Sequence, residues 1–323
     1  FLLKFLGGKN INLFWPSAQI DLYHELSSEY KHFMNLQNDE KNLMYIFQNS
    51  KLKKLIIKKI KNNKKIKIFN NKIKKIEANN SNIVFGKNKF SYDAILLCLG
   101  KNSKIIEGLI KPRHVHKDSG EIALTTLVKH KSKIINARQY FLKDGPLAIL
   151  PINEKAFSLV WSVGKNFNLE NVDNIIKNKL KIILKTDKDF SFSKINFFPV
   201  SFKFNTNFFK KNILVLGEGS YNIHPIAGQG YNLILRDIKA LHKEIKKYLS
   251  CGMQLKDSRV LNNFAVKRKP ENLLFGFGIS LISGFFKHNK VTQPIKNVIL
   301  KDINKFKFLK NFSINLSNKG FFY

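Results

Sequence analysis

One stretch, residues 215–237, reads VLGEGSYNIHPIAGQGYNLILRD and constrains this chain more than any other. A short apolar strand, Ile213 to Leu216, ends at Gly217, and a helical pattern begins near Gln229. Between them lie four glycines, Gly217, Gly219, Gly228 and Gly230, and a His-Pro pair, in a chain otherwise rich in Lys, Asn, Ile and Phe. A strand that runs through a glycine-lined turn into a helix is the signature of an α/β layer. The start of such a helix presents backbone N–H groups without intrahelical partners and the positive end of the helix dipole. It therefore suits a negative charge. Gly228 and Gly230 let a flat ligand approach the backbone, Pro225 stiffens the approach, and Asn232 is placed to hydrogen-bond from the first turn beside Gln229. Glu218, just after the strand, stands where α/β nucleotide sites hold a sugar hydroxyl.

The rest of the chain supplies two interleaved textures. DAILLCLG (93–100) and NILVLG (212–217) are continuous apolar runs ended by Gly, the pattern of strands buried on both faces. Between them IALTTLV, INARQYF, LAILPI and FSLVWSV, over 121–163, alternate as a largely antiparallel sheet, and INFFPVSFKF (195–204) adds a strand. Residues 18–36 read as two strands around a Ser-Ser turn. Runs at 65–69, 72–77 and 82–86 read as three more. Helical spacing marks 50–62, with Ser50 as N-cap, and 169–185, with Val172, Ile175, Ile176, Leu180, Ile183 and Leu184 on one side. Further helices are expected over 229–249, about 258–286 and 291–304. The longest apolar run, 273–286, is shorter than the roughly 20 residues a membrane span needs, so a buried or interfacial helix is expected there.

Composition narrows the function classes. The formal net charge is +35, but the arginines are only Arg113, Arg138, Arg236, Arg259 and Arg268. Nucleic-acid readers favour the bidentate arginine fork, and no basic helix with interleaved aromatics stands out. The lysine excess reads as compositional drift, with adhesion to anionic lipid as its functional remainder and no nucleic-acid partner. Two cysteines, Cys98 and Cys251, build no disulfide framework and suit a reducing compartment. The histidines show no metal-ligand spacing, so no metal is expected. No signal peptide is visible. A cytoplasmic protein, peripheral on the inner face of the cytoplasmic membrane, fits these features.

From Gly217 to Asp237 the string G-E-G-S-Y-N-I-H-P-I-A-G-Q-G-Y-N-L-I-L-R-D resembles the second flavin-contacting motif of class A FAD-dependent aromatic hydroxylases. It is most similar to that of the ubiquinone-biosynthesis (UbiH/VisC-type) hydroxylases. MYIFQNSKLKKLI (44–56), FLKDGPLAILPI (141–152), SLVWSV (158–163), FPVSF (198–202) and VKRKPENLL (266–274) resemble further family segments in order. The resemblance implies an α/β fold. A Rossmann-like FAD domain is interleaved with an antiparallel-sheet substrate domain and followed by C-terminal helices. Divided on this chain, 1–45 are substrate-domain strands, 46–120 FAD domain, 121–205 substrate domain, 206–250 FAD domain with the flavin motif, and 251–323 the helical region. It also implies an enzyme that uses FAD, electrons from NAD(P)H and O₂ to hydroxylate the ring of a polyprenylated phenol, beside other quinone-biosynthesis proteins at an anionic membrane surface. Cofactor contacts fall on Gly217, Glu218, Pro225, Gly228, Gln229, Gly230 and Asn232, and no catalytic residue is assigned.

Three departures bear on that reading. The family's opening strand and GxGxxG occur nowhere here; Gly276-Phe-Gly278 lies in an apolar helix and lacks the third glycine. The expectation is an N-terminally truncated copy without the first βαβ unit, inactive by itself. Leu99 stands in CLGKNS (98–103) where the family has an acid. Glu218 lengthens the family's Asp, and Tyr221 replaces a His. These departures raise two alternatives: a degenerate, non-catalytic scaffold in the quinone-biosynthesis complex, or a related flavin hydroxylase for another lipid.

Overall fold

A computed structural model describes residues 12–26, 29–37, 42–100, 103–111, 114–223 and 228–286, with isolated positions 2, 6 and 314. Strands are numbered in chain order. The largest sheet takes β2 (Gln19–Leu26), β3 (Glu29–Gln37), β9 (His114–Lys129), β10 (Ala137–Leu142), β11 (Gly145–Asn153), β12 (Ala156–Gly164), β13 (Ser191–Phe192), β14 (Asn196–Asn205) and β17 (Tyr221–Asn222). Its order is β17-β14-β9-β12-β11-β10-β2-β3, with β13 also on β9. Every pairing is antiparallel except β10 on β2. The alternating runs over 121–163 thus form a sheet, as their period requires.

One face of that sheet is a core. Trp161, Phe157, Tyr140, Leu124 and Leu147 pack against Ile176, Leu180 and Ile183 of helix α3 (Val172–Leu184). Tyr23 stacks on Tyr140 at 4.5 Å between ring centroids. The β10–β11 hairpin comes so close to β12 that a Cβ on Gly145 would lie 1.9 Å from the Ser162 carbonyl oxygen. No other residue fits there.

A second layer is built from the two apolar runs. β8 (Ile95–Leu97) and β16 (Ile213–Val215) pair in parallel, and β15 (Phe209–Lys210) completes three strands. β16 is buried throughout, as expected of a strand covered on both faces. β8 departs from that expectation, because Leu96 is 43% exposed between buried Ile95 and Leu97. The cover lies on one side only. There Ile106 and Ile110 of α2 (Lys104–Ile110), Leu241 of α4 (Gln229–Ser250), and Leu261 and Phe264 of α5 (Arg259–Phe286) close the core.

Helix α1 (Asn49–Lys61) follows the short β1–β4 pair (Phe14–Ser17, Met44–Phe47). Ser50 is not its N-cap. The helix opens a residue earlier, with Gln48 in the extended N-cap conformation and its carbonyl accepting from the Lys51 and Leu52 amides. The strand expected at 65–69 does not form. Asn63 accepts from the Lys65 and Ile66 amides and turns the chain, leaving 66–70 irregular and exposed. β5 (Ile73–Glu77) and β6 (Asn82–Phe85) lie where expected, and a third strand, β7 (Asn88–Ser91), completes an antiparallel sheet of its own. The helix expected at 291–304 lies outside the described residues.

Candidate active site

The parallel β8–β16 pair brings two distant motif segments together. Leu216 donates its amide to the Leu97 carbonyl at 3.0 Å, so the chain leaves both strands at one end. On one side it enters 98–103; on the other it enters a 3₁₀ turn, Gly217–Gly219. Gly217 has φ +77°, a conformation that glycine adopts at little cost. Gly219 is a wedge. A Cβ there would lie 2.6 Å from Ile106 Cδ1, 2.8 Å from Val215 Cγ1 and 3.0 Å from the Leu99 carbonyl oxygen. The turn is further tied by Ser220, whose amide and hydroxyl both donate to the Gly217 carbonyl.

The same turn abuts the start of α4. Gly217 faces Ile234 Cδ1 of the helix, and Gly230 faces Ile223. Gly228 is the N-cap, with φ +63°, and no side chain caps the helix. Among the described residues, a Cβ built on Gly228 meets nothing within 4 Å. Glu218 and Asn232 are exposed, and Gln229 is half-buried. The Asn232 amide donates to Gln229 Oε1 at 3.5 Å, a weak bond across the first turn. Phe47, from the MYIFQN segment, meets Tyr231 edge-on at 5.4 Å. Phe47 of the 44–56 stretch therefore meets the first turn of α4, and the Leu99 carbonyl lies against Gly219 in the turn that precedes it. Pro225 lies outside the described residues.

A buried polar network holds this helix in place. Asp237, in the third turn of α4, accepts from the Tyr221 hydroxyl at 2.6 Å and from Arg268 Nε at 2.7 Å. It also accepts from the Asn272 amide at 3.1 Å. Arg268 further donates to Asn272 Oδ1 and pairs with Glu271. Tyr221, Asp237, Arg268, Glu271 and Asn272 are all buried. Burial, and then the Asp237 carboxylate, push the Tyr221 hydroxyl well above its ordinary pKa, so it stays a donor. Burial opposes the Arg268 charge, but Asp237 and Glu271 outweigh it and hold the guanidinium above its usual range. Arg236 stacks over Phe275 at 4.2 Å, its pKa lowered by burial and by Arg268.

These residues join β17, α4 and α5, beside an apolar cluster of Phe202, Phe204, Ile223, Leu233 and Phe275. Gly276 belongs to the same junction, where a Cβ would lie 2.7 Å from Phe202 Cε2. Close helix–sheet packing thus accounts for it. In the sequence Arg236-Asp237 closes the 215–237 stretch and Arg268 to Asn272 lie in VKRKPENLL, with no local pattern that joins the two. The signal in the sequence is Asp237 between Leu233 and Leu241 at helical spacing on α4, facing the Arg268, Glu271 and Asn272 cluster of α5.

A sequence profile describing squalene epoxidase matches residues 162–314. The chain is 26% identical over 215 residues to the ubiquinone biosynthesis monooxygenase COQ6 of Dictyostelium discoideum, covering 55% of this chain and 43% of that protein. It is 28% identical over 161 residues to the 3-demethoxyubiquinol 3-hydroxylase of Escherichia coli, covering 47% and 40%. The chain is a homologue of the ubiquinone-biosynthesis monooxygenases. This homologue spans less than half the length of the curated relatives it matches. Its fold is that of Klebsiella pneumoniae HpxO, solved with FAD and uric acid, at a TM-score of 0.72 and 10% identity over 99% of this chain and 85% of that one.

Proposed function

We propose that this homologue is an FAD-dependent monooxygenase that hydroxylates the ring of a polyprenylated phenol in ubiquinone biosynthesis, with NAD(P)H as electron donor. The observation that carries the reading is the uncapped start of α4 at Gly228, open among the described residues, with Ile234 of the helix's second turn against Gly217. The residues present fit a flavin. The cradle is glycine-lined, has room where a side chain would stand, and faces a helix dipole suited to negative charge. When bound, the flavin supplies the redox chemistry with O₂.

This chain's own residues supply position. Gly217, Glu218, Gly228, Gln229, Gly230 and Asn232 would hold the cofactor, and Pro225 belongs to the same motif in the sequence. Preorganised donors of this kind need no reorganisation during the reaction. Tyr221, Asp237 and Arg268 fix the helix that carries them. The names of the relatives support the substrate class, since ubiquinone and squalene are both polyisoprenoid lipids. A substrate taken from the face of an anionic bilayer, beside other quinone-pathway proteins, completes the reading. NAD(P)H oxidation by the FAD-loaded protein should rise on adding a short-chain polyprenylphenol and yield a product one oxygen heavier. Oxidation indifferent to the phenol, with no oxygenated product, would contradict it.

A further inference from the structure

Residues 51–91 hold fourteen lysines and a single acid, Glu77. Uniform drift would have kept acids in proportion, so this segment departs from the rest of the chain. It comprises α1, the irregular stretch 62–72 and the small β5–β6–β7 sheet. Every residue from Lys61 to Lys72 is exposed.

Within this basic surface stands an apolar knob. Ile66, Ile68 and Phe69 are 44%, 53% and 46% exposed, with Lys65 and Lys67 interleaved. Phe69 stacks on Phe85 at 5.7 Å and meets Phe90 at 5.7 Å, while Phe85 and Phe90 lie 5.9 Å apart. Three rings in mutual contact give the knob a fixed shape, and Lys87 stands at the β6–β7 turn beside it. Burying these rings in water-free surroundings is favourable, and the lysines need an anionic partner to complement them.

We infer that this surface docks on an anionic lipid bilayer, with Ile66, Ile68 and Phe69 entering the headgroup boundary and the surrounding lysines on the anionic headgroups. Aliphatic and aromatic tips ringed by lysine are the chemistry of an interfacial anchor. An RNA partner would call for arginine forks and has no use for Ile66 and Ile68, and residues 51–91 contain no arginine. A second apolar stripe exists on α5, where Leu274, Phe277 and Leu281 are exposed, but it lacks this density of charge. The inference extends the lipid-substrate reading above, yet its test needs neither flavin nor turnover.

Co-sedimentation of the full chain with phosphatidylcholine vesicles, with and without about 30% phosphatidylglycerol, reads the partition directly. Binding should need the anionic lipid and weaken as salt rises. Phe69→Glu and the pair Lys65→Gln and Lys67→Gln should each lower it by about tenfold, whereas Leu281→Glu should leave it unchanged. A Phe69→Trp protein should show a blue shift of the added emission on anionic vesicles. Equal binding of the Phe69→Glu protein, loss only with Leu281→Glu, no shift at position 69, or preference for single-stranded RNA over vesicles would each overturn the inference. Flavin uptake measured in parallel separates such a failure from failure of the monooxygenase reading.

Discussion

Asp237 shows most plainly what a single residue does here. Its carboxylate is almost fully buried and takes hydrogen bonds from three side chains on two other elements. Removing one partner of a buried charge pair costs roughly 3–5 kcal/mol, because the other charge stays buried alone. Asp237→Ala should therefore unfold at much lower urea than the parent, whereas Tyr221→Phe should cost only about 1–3 kcal/mol. Equal stabilities of both variants and the parent in urea titrations would mean that the network does not hold α4. Tyr221 also illustrates the limits of sequence. It read as a departure where the family has His, yet its hydroxyl simply reaches a carboxylate 16 residues on. No local pattern announces a contact made through tertiary packing. Arg268 and Asn272 were equally silent, although both stood inside a stretch noted for its resemblance.

Elements were easier to read than their ends. The strands at 213–215 and 196–205 and the helices at 172–184, 229–250 and 259–286 follow from apolar runs and helical spacing. Failures came where a side chain competed for backbone groups, as at Asn63, or where burial was one-sided, as at Leu96. The wedge at Gly219 could not be seen either, since its neighbours come from β16, α2 and residue 99. Gly219→Ala pushes a methyl into all three, so it should destabilise by about 1–3 kcal/mol. Gly108→Ala, in α2 with nothing within 4 Å, should be neutral or slightly stabilising. Thermal melts of the two variants check the contrast, and a Gly219→Ala protein as stable as Gly108→Ala would remove the wedge from the account.

For the whole molecule, two interleaved sheet textures in the sequence became one large sheet, antiparallel except where β10 meets β2, and a smaller parallel-containing layer. The candidate site forms where Phe47 meets Tyr231, Leu99 meets Gly219 and Gly217 meets Ile234; the stretches that carry them, 44–56, 98–103 and 215–237, stand out in the sequence, but their adjacency does not. Net charge was read there as spread through the chain; its concentration in 51–91 was legible but went unused, because a total hides a distribution. Among the described residues no helix is long and apolar enough to cross a membrane. The central claim is that the start of α4 holds a flavin. Titrating the chain with FAD and following flavin absorbance and fluorescence tests it most directly. The account predicts saturable binding that Gly228→Ala weakens while circular dichroism stays that of the parent, since among the described residues that methyl meets nothing within 4 Å and its backbone strain at φ +63° costs only about 1–2 kcal/mol. No perturbation of FAD by the folded chain, or undiminished binding by Gly228→Ala, would contradict it.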